Sequence, residues 1–401
     1  MSAKYPGGII SKTATVPSGP YTTSTASGIW TLDQMEYWMG QSLWPTVGNN
    51  QPVNLYGWGA NTQGQLGQGN TTAYSSPKQV GSLTGWLKIT GGYSVLSIKT
   101  DGTLWAWGYN IYGQLGLGNR TNYSSPKQVG ALTSWSSVSS QGGAGFTLAT
   151  KTDGTLWSWG GNLQGQLGLG NITYYSSPKQ VGALTNWSLV SASTNTSAAI
   201  KTDGTLWTWG SNSSGQLGQG NITNYSSPKQ VGALTTWSTV SIKGAYMLAI
   251  KTDGTFWAWG LNNDGNLGLG NTTNYSSPKQ VGSLTNWLRV ASGNYLSSAI
   301  KTDGTLWTWA RNNYGQLGLG NTTYYSSPKQ VGALTNWSKI DNGKNDVYAI
   351  KTDGTLWAWG HNNSGQLGLN NRTNYSSPKQ VGSLTTWSIV VSSGTSVLGI
   401  G

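Results

Sequence analysis

A tryptophan-glycine pair recurs along this chain at a nearly constant interval, and that spacing limits the fold more than any other feature. The tryptophans are Trp58, Trp107, Trp159, Trp209, Trp259, Trp309 and Trp359, spaced 49, 52, 50, 50, 50 and 50 residues apart, with Ala310 replacing the glycine in one copy. Each is followed by a glycine-rich stretch such as Gly113-Gln114-Leu115-Gly116, then Ser-Ser-Pro-Lys-Gln-Val, then another tryptophan such as Trp135. Lys-Thr-Asp-Gly-Thr precedes the motif from the second copy on, and seven copies fill residues 53–401. Self-similarity at this period signals an array of identical supersecondary units.

One unit reads as four short strands and shows no helical period. The segments are A, residues 187–190; B, residues 197–201; C, residues 206–209; and D, residues 228–231. Asp203-Gly204 between B and C predicts a two-residue type I′ hairpin. Pro228, placed at the start of D, suits an edge strand, which can spare an N–H. A four-stranded unit repeated seven times predicts an all-β, seven-bladed β-propeller. The first copy begins at strand C (residues 53–59) and the last ends after strand B (residues 397–400). The expected closure is therefore a composite blade from both termini. An open solenoid with two half-blades is the alternative.

Composition narrows the chemistry. The chain has 401 residues with 59 Gly, 23 Trp and 20 Tyr, but one His and no Cys. Disulfides, cysteine zinc sites and thiol catalysis are excluded, and a multi-histidine metal site is excluded with them. No apolar run reaches the roughly 20 residues of a membrane helix, and the first twenty residues lack the apolar core of a secretory signal.

The run TDGTLWAWGYNIYGQLGLGN with its downstream PKQV resembles the regulator-of-chromosome-condensation type repeat, over about 350 residues and all seven copies. The resemblance implies a seven-bladed propeller. Some members exchange guanine nucleotides on a small GTPase, but no residue here carries that role over, and fold alone does not transfer function. The chain also lacks the histidine that the family often has between A and B; Gly92-Tyr93-Ser94 and Ser193-Thr194-Asn195 stand there.

Copies differ in two places, the A-to-B loop and the start of the C-to-D loop. Meandering strands bring both to one end of the ring. The Lys-Thr-Asp-Gly turn and the D-to-A connection, which barely vary, lie at the other. Recognition is usually carried by loops on a rigid frame. The predicted contacts are Tyr93, Tyr112, Phe146, Tyr246, Tyr295 and Tyr314; tolerated drift is the competing reading. Strand-C tryptophans such as Trp157 and Trp159 read as core, and the Gly-Gln-Leu-Gly segments as tight turns rather than phosphate loops.

The formal net charge is +12. Each turn lysine is offset by its aspartate. Seven Pro-Lys lysines, Lys78, Lys127, Lys179, Lys229, Lys279, Lys329 and Lys379, have no fixed partner and should ring the outer edge. Protection of exposed strand edges explains them better than an anionic partner. With four arginines, a nucleic-acid partner is not expected. Asn-x-Thr, recurring from Asn70 to Asn371, reads as a polar turn. His361, with no evident carboxylate or nucleophile partner, is expected to be a solvated loop histidine; Asp341 and Asp346 could form part of a site, but Asp, Asn and Lys in a loop are usually solvated, so no catalytic residue, metal or cofactor is assigned.

Residues 1–50 differ in kind. A Ser/Thr/Gly/Pro-rich stretch precedes a segment with capping-box spacing from Thr31 to Gln34 and a stop at Gly40, predicting one short helix. Trp30, Tyr37, Trp38 and Trp44 give it an aromatic character suited to docking on a partner or capping the propeller. SGIWTLDQMEYWMGQSLWP, after a PGGIISKT-like start, is similar to N-terminal segments of phage virion proteins, especially marine ones. That resemblance implies a mounting device. The leading expectation is a non-enzymatic structural virion protein (tail, fibre or capsid surface). It would dock on other virion proteins through residues 1–50 and bind a host-surface glycan or protein, or a neighbouring subunit, through the loop face. The alternatives are a cellular propeller scaffold or exchange factor, cytoplasmic, and an extracellular glycan-binding module.

Overall fold

The computed structural model describes residues 53–140 and 145–401. The predicted N-terminal helix, with Trp30, Tyr37, Trp38 and Trp44, lies outside them. The described residues form 28 strands and no helix, arranged as seven antiparallel four-stranded sheets. Each sheet is a blade. Blades 1 to 6 begin with strand A at Trp86, Trp135, Trp187, Trp237, Trp287 and Trp337.

Blade 3 shows the pattern: A is Trp187–Ala192, B is Thr196–Lys201, C is Leu206–Gly210 and D is Tyr225–Gln230. D starts earlier than the sequence suggests, so Pro228 is its fourth residue. Because D pairs with C alone, one of its edges needs no donor. Blade 7 is composite, as expected. Its strands are Ile389–Ser392 and Ser396–Ile400 from the C-terminal side, and Leu55–Gly59 and Tyr74–Gln79 from the N-terminal side. Leu55 pairs with Ile400 and Gly59 with Ser396.

The B-to-C turn is not type I′. That type needs positive φ at both central residues, but Gly204 has φ +76 and Asp203 is not in the positive range. Gly204 N donates to Lys201 O and Lys201 N to Thr205 O, both at 3.0 Å. This is a three-residue loop in which glycine supplies the left-handed residue of a bulge. Asp203 Oδ1 accepts from the N and Oγ1 of Thr205, at 2.9 and 2.6 Å. Those hydrogen bonds hold its carboxyl below the usual range. The lysine is not salt-bridged to it: Lys201 Nζ sits 4.9 Å from the Trp187 ring and 3.9 Å from the Trp207 ring.

Seven apolar clusters fill the ring, one between each pair of neighbouring blades. Each joint has the same polar fastening. The buried indole of Trp209 donates to Gln166 O of the preceding blade at 2.8 Å, and Trp58 does so to Gln366 O at 2.8 Å across the closure. Gly168 makes this approach feasible, since a Cβ there would lie 2.7 Å from Trp209 Nε1. The strand-C tryptophans and Gly-Gln-Leu-Gly segments are thus two halves of one joint.

The rim lysines do have partners. All seven are exposed, and each stands 5.3–6.0 Å from the ring of a tyrosine four residues earlier, as Lys229 does over Tyr225. An exposed cation over an aromatic face is worth only about 0.5–1 kcal/mol.

Candidate interaction site on the loop face

The A-to-B and C-to-D loops meet at one end of each blade. Ser94 Oγ donates to Tyr109 O at 2.7 Å, and Ser211 N donates to Asn195 O at 2.9 Å. A buried asparagine shapes every C-to-D loop. Asn162 donates from Nδ2 to Asn171 O at 2.9 Å and Thr173 O at 3.1 Å, and its Oδ1 accepts from Leu167 N at 2.9 Å. Asn171 Oδ1 then accepts from Thr173 N at 2.9 Å, so the Asn-x-Thr motifs are polar turns, as expected. This asparagine network holds the variable tips on rigid supports.

The predicted aromatic contacts divide. Tyr93 and Tyr314 are each 38% exposed. Tyr112 is half-buried, with its ring 5.8 Å from that of Tyr174. Tyr295 is also half-buried, under the Arg311 guanidinium at 4.3 Å, and Arg311 in turn reaches Asp264 Oδ1 at 3.4 Å. Phe146 and Tyr246 are corrected: both are buried at the first position of strand B, opposite Gly160 and Gly260. Tyr246 Oη donates to Leu296 O at 2.6 Å and accepts from Gly293 N and Ser297 Oγ. Burial pushes its hydroxyl pKa well up. Counting five residues back from the turn lysine, Lys151 or Lys251, locates both on the strand.

His361 is half-buried rather than fully solvated. Its ring packs 4.5 Å from Tyr314 and its Nδ1 lies 3.0 Å from Gln366 Nε2. Burial holds its pKa below the ordinary range.

Strand A lines the axial channel, and its fifth residue laces neighbouring blades. Ser139 Oγ accepts from Ala192 N at 2.9 Å, Ser191 Oγ from Ile242 N at 3.2 Å, and Ser241 Oγ from Ser292 N at 3.0 Å. Asp341 occupies the same position in blade 6, and its Oδ2 accepts from Ser392 N at 2.7 Å. A cavity of about 140 Å³ on the axis is lined by these hydroxyls, Asp341 and Lys243. Lys243 of blade 4 reaches across to blades 6 and 7. Its Nζ lies 3.2 Å from Asp341 Oδ1 and 3.0 Å from Ser392 O, and it also donates to Asn342 O. Asp346 is buried beside them, accepting from Tyr348 Oη at 2.7 Å and Ser392 Oγ at 3.1 Å. Burial raises the pKa of both carboxyls, opposed chiefly by the Lys243 charge at Asp341 and by the Tyr348 hydrogen bond at Asp346. The aspartates expected in solvated loops therefore belong to the network that closes the channel.

A closed propeller with a varied loop end and a repeated turn end defines a repeat scaffold. The chain belongs to the regulator of chromosome condensation (RCC1) repeat family, whose model matches residues 54–96, 101–150, 153–200, 203–247, 253–300, 303–350 and 353–397. It is 29% identical over 140 residues to the Ultraviolet-B receptor UVR8 of Arabidopsis thaliana, 34% of this chain and 32% of that receptor, so it spans about a third of that relative's length.

Among solved structures, it is similar to Prp20p of Saccharomyces cerevisiae, described with its binding to Gsp1p and histones. The TM-score is 0.79 at 18% identity, covering 92% of this chain and 94% of that one. Yeast RCC1 (Prp20) bound to Kap60 gives 0.80 at 18% identity, covering 98% and 96%. Human WBSCR16 gives 0.77 at 20% identity, covering 88% and 99%. At these identities the likeness speaks for the fold.

Proposed function

We propose that this protein is a non-catalytic interaction scaffold that binds its partner through the loop face. One observation carries the reading: the repeats differ where aromatic surface is exposed. Tyr93 and Tyr314 stand out from that end, with Tyr112 and Tyr295 half-buried beside them. The other end repeats one Lys-Thr-Asp-Gly turn six times. Tyrosine offers large contact area at small entropic cost, which suits recognition.

The finer reading is a structural component of a phage particle, mounted through residues 1–50 and displaying the propeller toward a host-surface glycan or protein. Its support is the resemblance of SGIWTLDQMEYWMGQSLWP to virion segments. Producing particles with this chain lacking residues 1–50 tests it. The truncated chain should be absent from purified particles, and incorporation at the normal level would sink the mounting role.

A second reading, a cellular interaction scaffold of the exchange-factor type, draws on the fold shared with Prp20p. It predicts that the chain accelerates nucleotide release from a small GTPase, which the virion reading does not.

A further inference from the structure

On the loop face, the joint between blades 4 and 5 carries chemistry that the other joints lack. At three joints the tip of one C-to-D loop reaches the residue just before strand D of the next blade. Gln63 Oε1 accepts from Asn122 Nδ2 at 3.0 Å, Gln164 Oε1 accepts from Asn224 Nδ2 at 2.7 Å, and the Tyr112 and Tyr174 rings stand 5.8 Å apart. The equivalent pair for blades 4 and 5 is Asp264 and Tyr324. Tyr324 departs from the repeat. In blades 1, 3, 4 and 6 its position is an asparagine that accepts from a backbone N–H of its own loop, as Asn274 Oδ1 does from Asn262 N at 2.7 Å. Blade 5 has instead a ring that is 43% exposed, whose hydroxyl donates to Asn313 Oδ1.

Asp264 departs as well. The other eight aspartates among the described residues serve the fold: six hold the B-to-C turns, and Asp341 and Asp346 belong to the axial network. Asp264 Oδ1 instead faces Arg311 Nη2 at 3.4 Å, and both side chains are partly exposed. A pair so long and so open adds little to stability. A carboxylate has about four acceptor sites and a guanidinium five donors, so one contact leaves most of both unused. The guanidinium is steadied on the Tyr295 ring at 4.3 Å. On the same loop the exposed Tyr314 is backed by the His361 ring at 4.5 Å.

We propose that this joint binds a neutral pyranose residue of a glycan, with Asp264 accepting from its hydroxyls, Arg311 donating to them and Tyr324 stacking on its C–H face. The proposal rests on the loop-face reading and gives that face a ligand class. Sugar hydroxyls both donate and accept, which matches a carboxylate and a guanidinium set side by side. The negative face of a tyrosine ring suits the polarised C–H groups of a pyranose. The two charges offset one another, so the joint has no net attraction for an acidic sugar. Groups already steadied by neighbouring rings lose little freedom on binding.

Titration of the full chain with the methyl glycosides of glucose, mannose and galactose, followed by NMR, tests it; the methyl group stands for the rest of a glycan. Saturable binding of at least one is expected, and tighter than that of N-acetylneuraminic acid. Tyr324→Asn restores the residue of four other blades, so it should fold normally and weaken binding at least tenfold. Asp264→Asn keeps the shape and should do the same. Tyr93→Ala, in blade 1, should leave sugar binding unchanged. No saturable binding of the three glycosides overturns the proposal. So does a preference for the acidic sugar, wild-type affinity in Tyr324→Asn or Asp264→Asn, or an equal loss in Tyr93→Ala. Host-cell attachment that is lost in Tyr93→Ala while no sugar binds overturns the pyranose site and leaves the loop face standing. Sugar binding that responds to Tyr324→Asn while attachment ignores every loop variant overturns the loop-face reading instead.

Discussion

Lys243 Nζ lies 3.2 Å from Asp341 Oδ1, joining blade 4 to blade 6 across the axis over 98 positions of sequence. The same ammonium reaches Ser392 O of the composite blade. One side chain thus ties the two halves of the ring to its closure, while Asp341 passes the restraint on through Ser392 N.

Removing one member should be costly, because the other charge and two carbonyls remain in a largely dry site. Lys243→Met is expected to destabilise by about 2–4 kcal/mol. In a double-mutant cycle with Asp341→Asn, chemical denaturation should give a coupling of about 1–2 kcal/mol. Additive losses would show that the pair does not act as a unit.

Acid should stabilise this protein before it harms it. Burial raises the pKa of Asp346 and Asp341 above the unfolded value. The fold then binds protons more readily than the unfolded chain, so stability rises as pH falls from neutral toward the ordinary carboxylate range, about 3.9. The turn aspartates such as Asp203 have the opposite shift, and their contribution is lost only below that range. Melting temperature followed from pH 7 to pH 4 should rise, and Asp346→Asn should flatten the rise.

Two glycines separate backbone strain from steric clash. Gly168 has φ +73 and Trp209 behind it, whereas Gly182 has φ +61 and open space. Gly182→Ala should cost about 1 kcal/mol, the left-handed penalty alone. Gly168→Ala should cost about 2–4 kcal/mol, since the methyl also displaces the indole. Equal losses in urea titrations would remove the indole joint from the account.

The chain contains its own reciprocal test. Ala310 holds φ +86 where the other six repeats carry glycine. At the equivalent Gly210 a Cβ would come 2.3 Å from Asn195 O. Ala310→Gly should therefore stabilise by about 1–2 kcal/mol, read as a higher urea midpoint with unchanged slope.

The 50-residue interval of Trp58, Trp107 and their successors was enough to read blades, their number and the composite closure, because each repeats a local requirement. The turn type was not readable from Asp203-Gly204, since that pair serves both two- and three-residue loops. The deciding bond, Lys201 N to Thr205 O, is a matter of register. Phe146 and Tyr246 look like loop residues because their neighbours vary, but alignment on the turn lysine moves them onto strand B. Lys243 and Asp341 gave no local signal at all: their meeting depends on ring curvature, which no single repeat encodes.

The central claim of the proposed function is that recognition occurs at the loop face; on the virion reading, attachment of the labelled full chain to host cells tests it most directly. Tyr93→Ala, Tyr295→Ala and Tyr314→Ala combined should reduce attachment at least tenfold, with the melting temperature held within a few degrees. Leu184→Ala, Leu234→Ala and Leu284→Ala combined, on the exposed D-to-A connections of the other end, should leave attachment intact. Full attachment by the tyrosine variant together with loss in the leucine variant would contradict the claim.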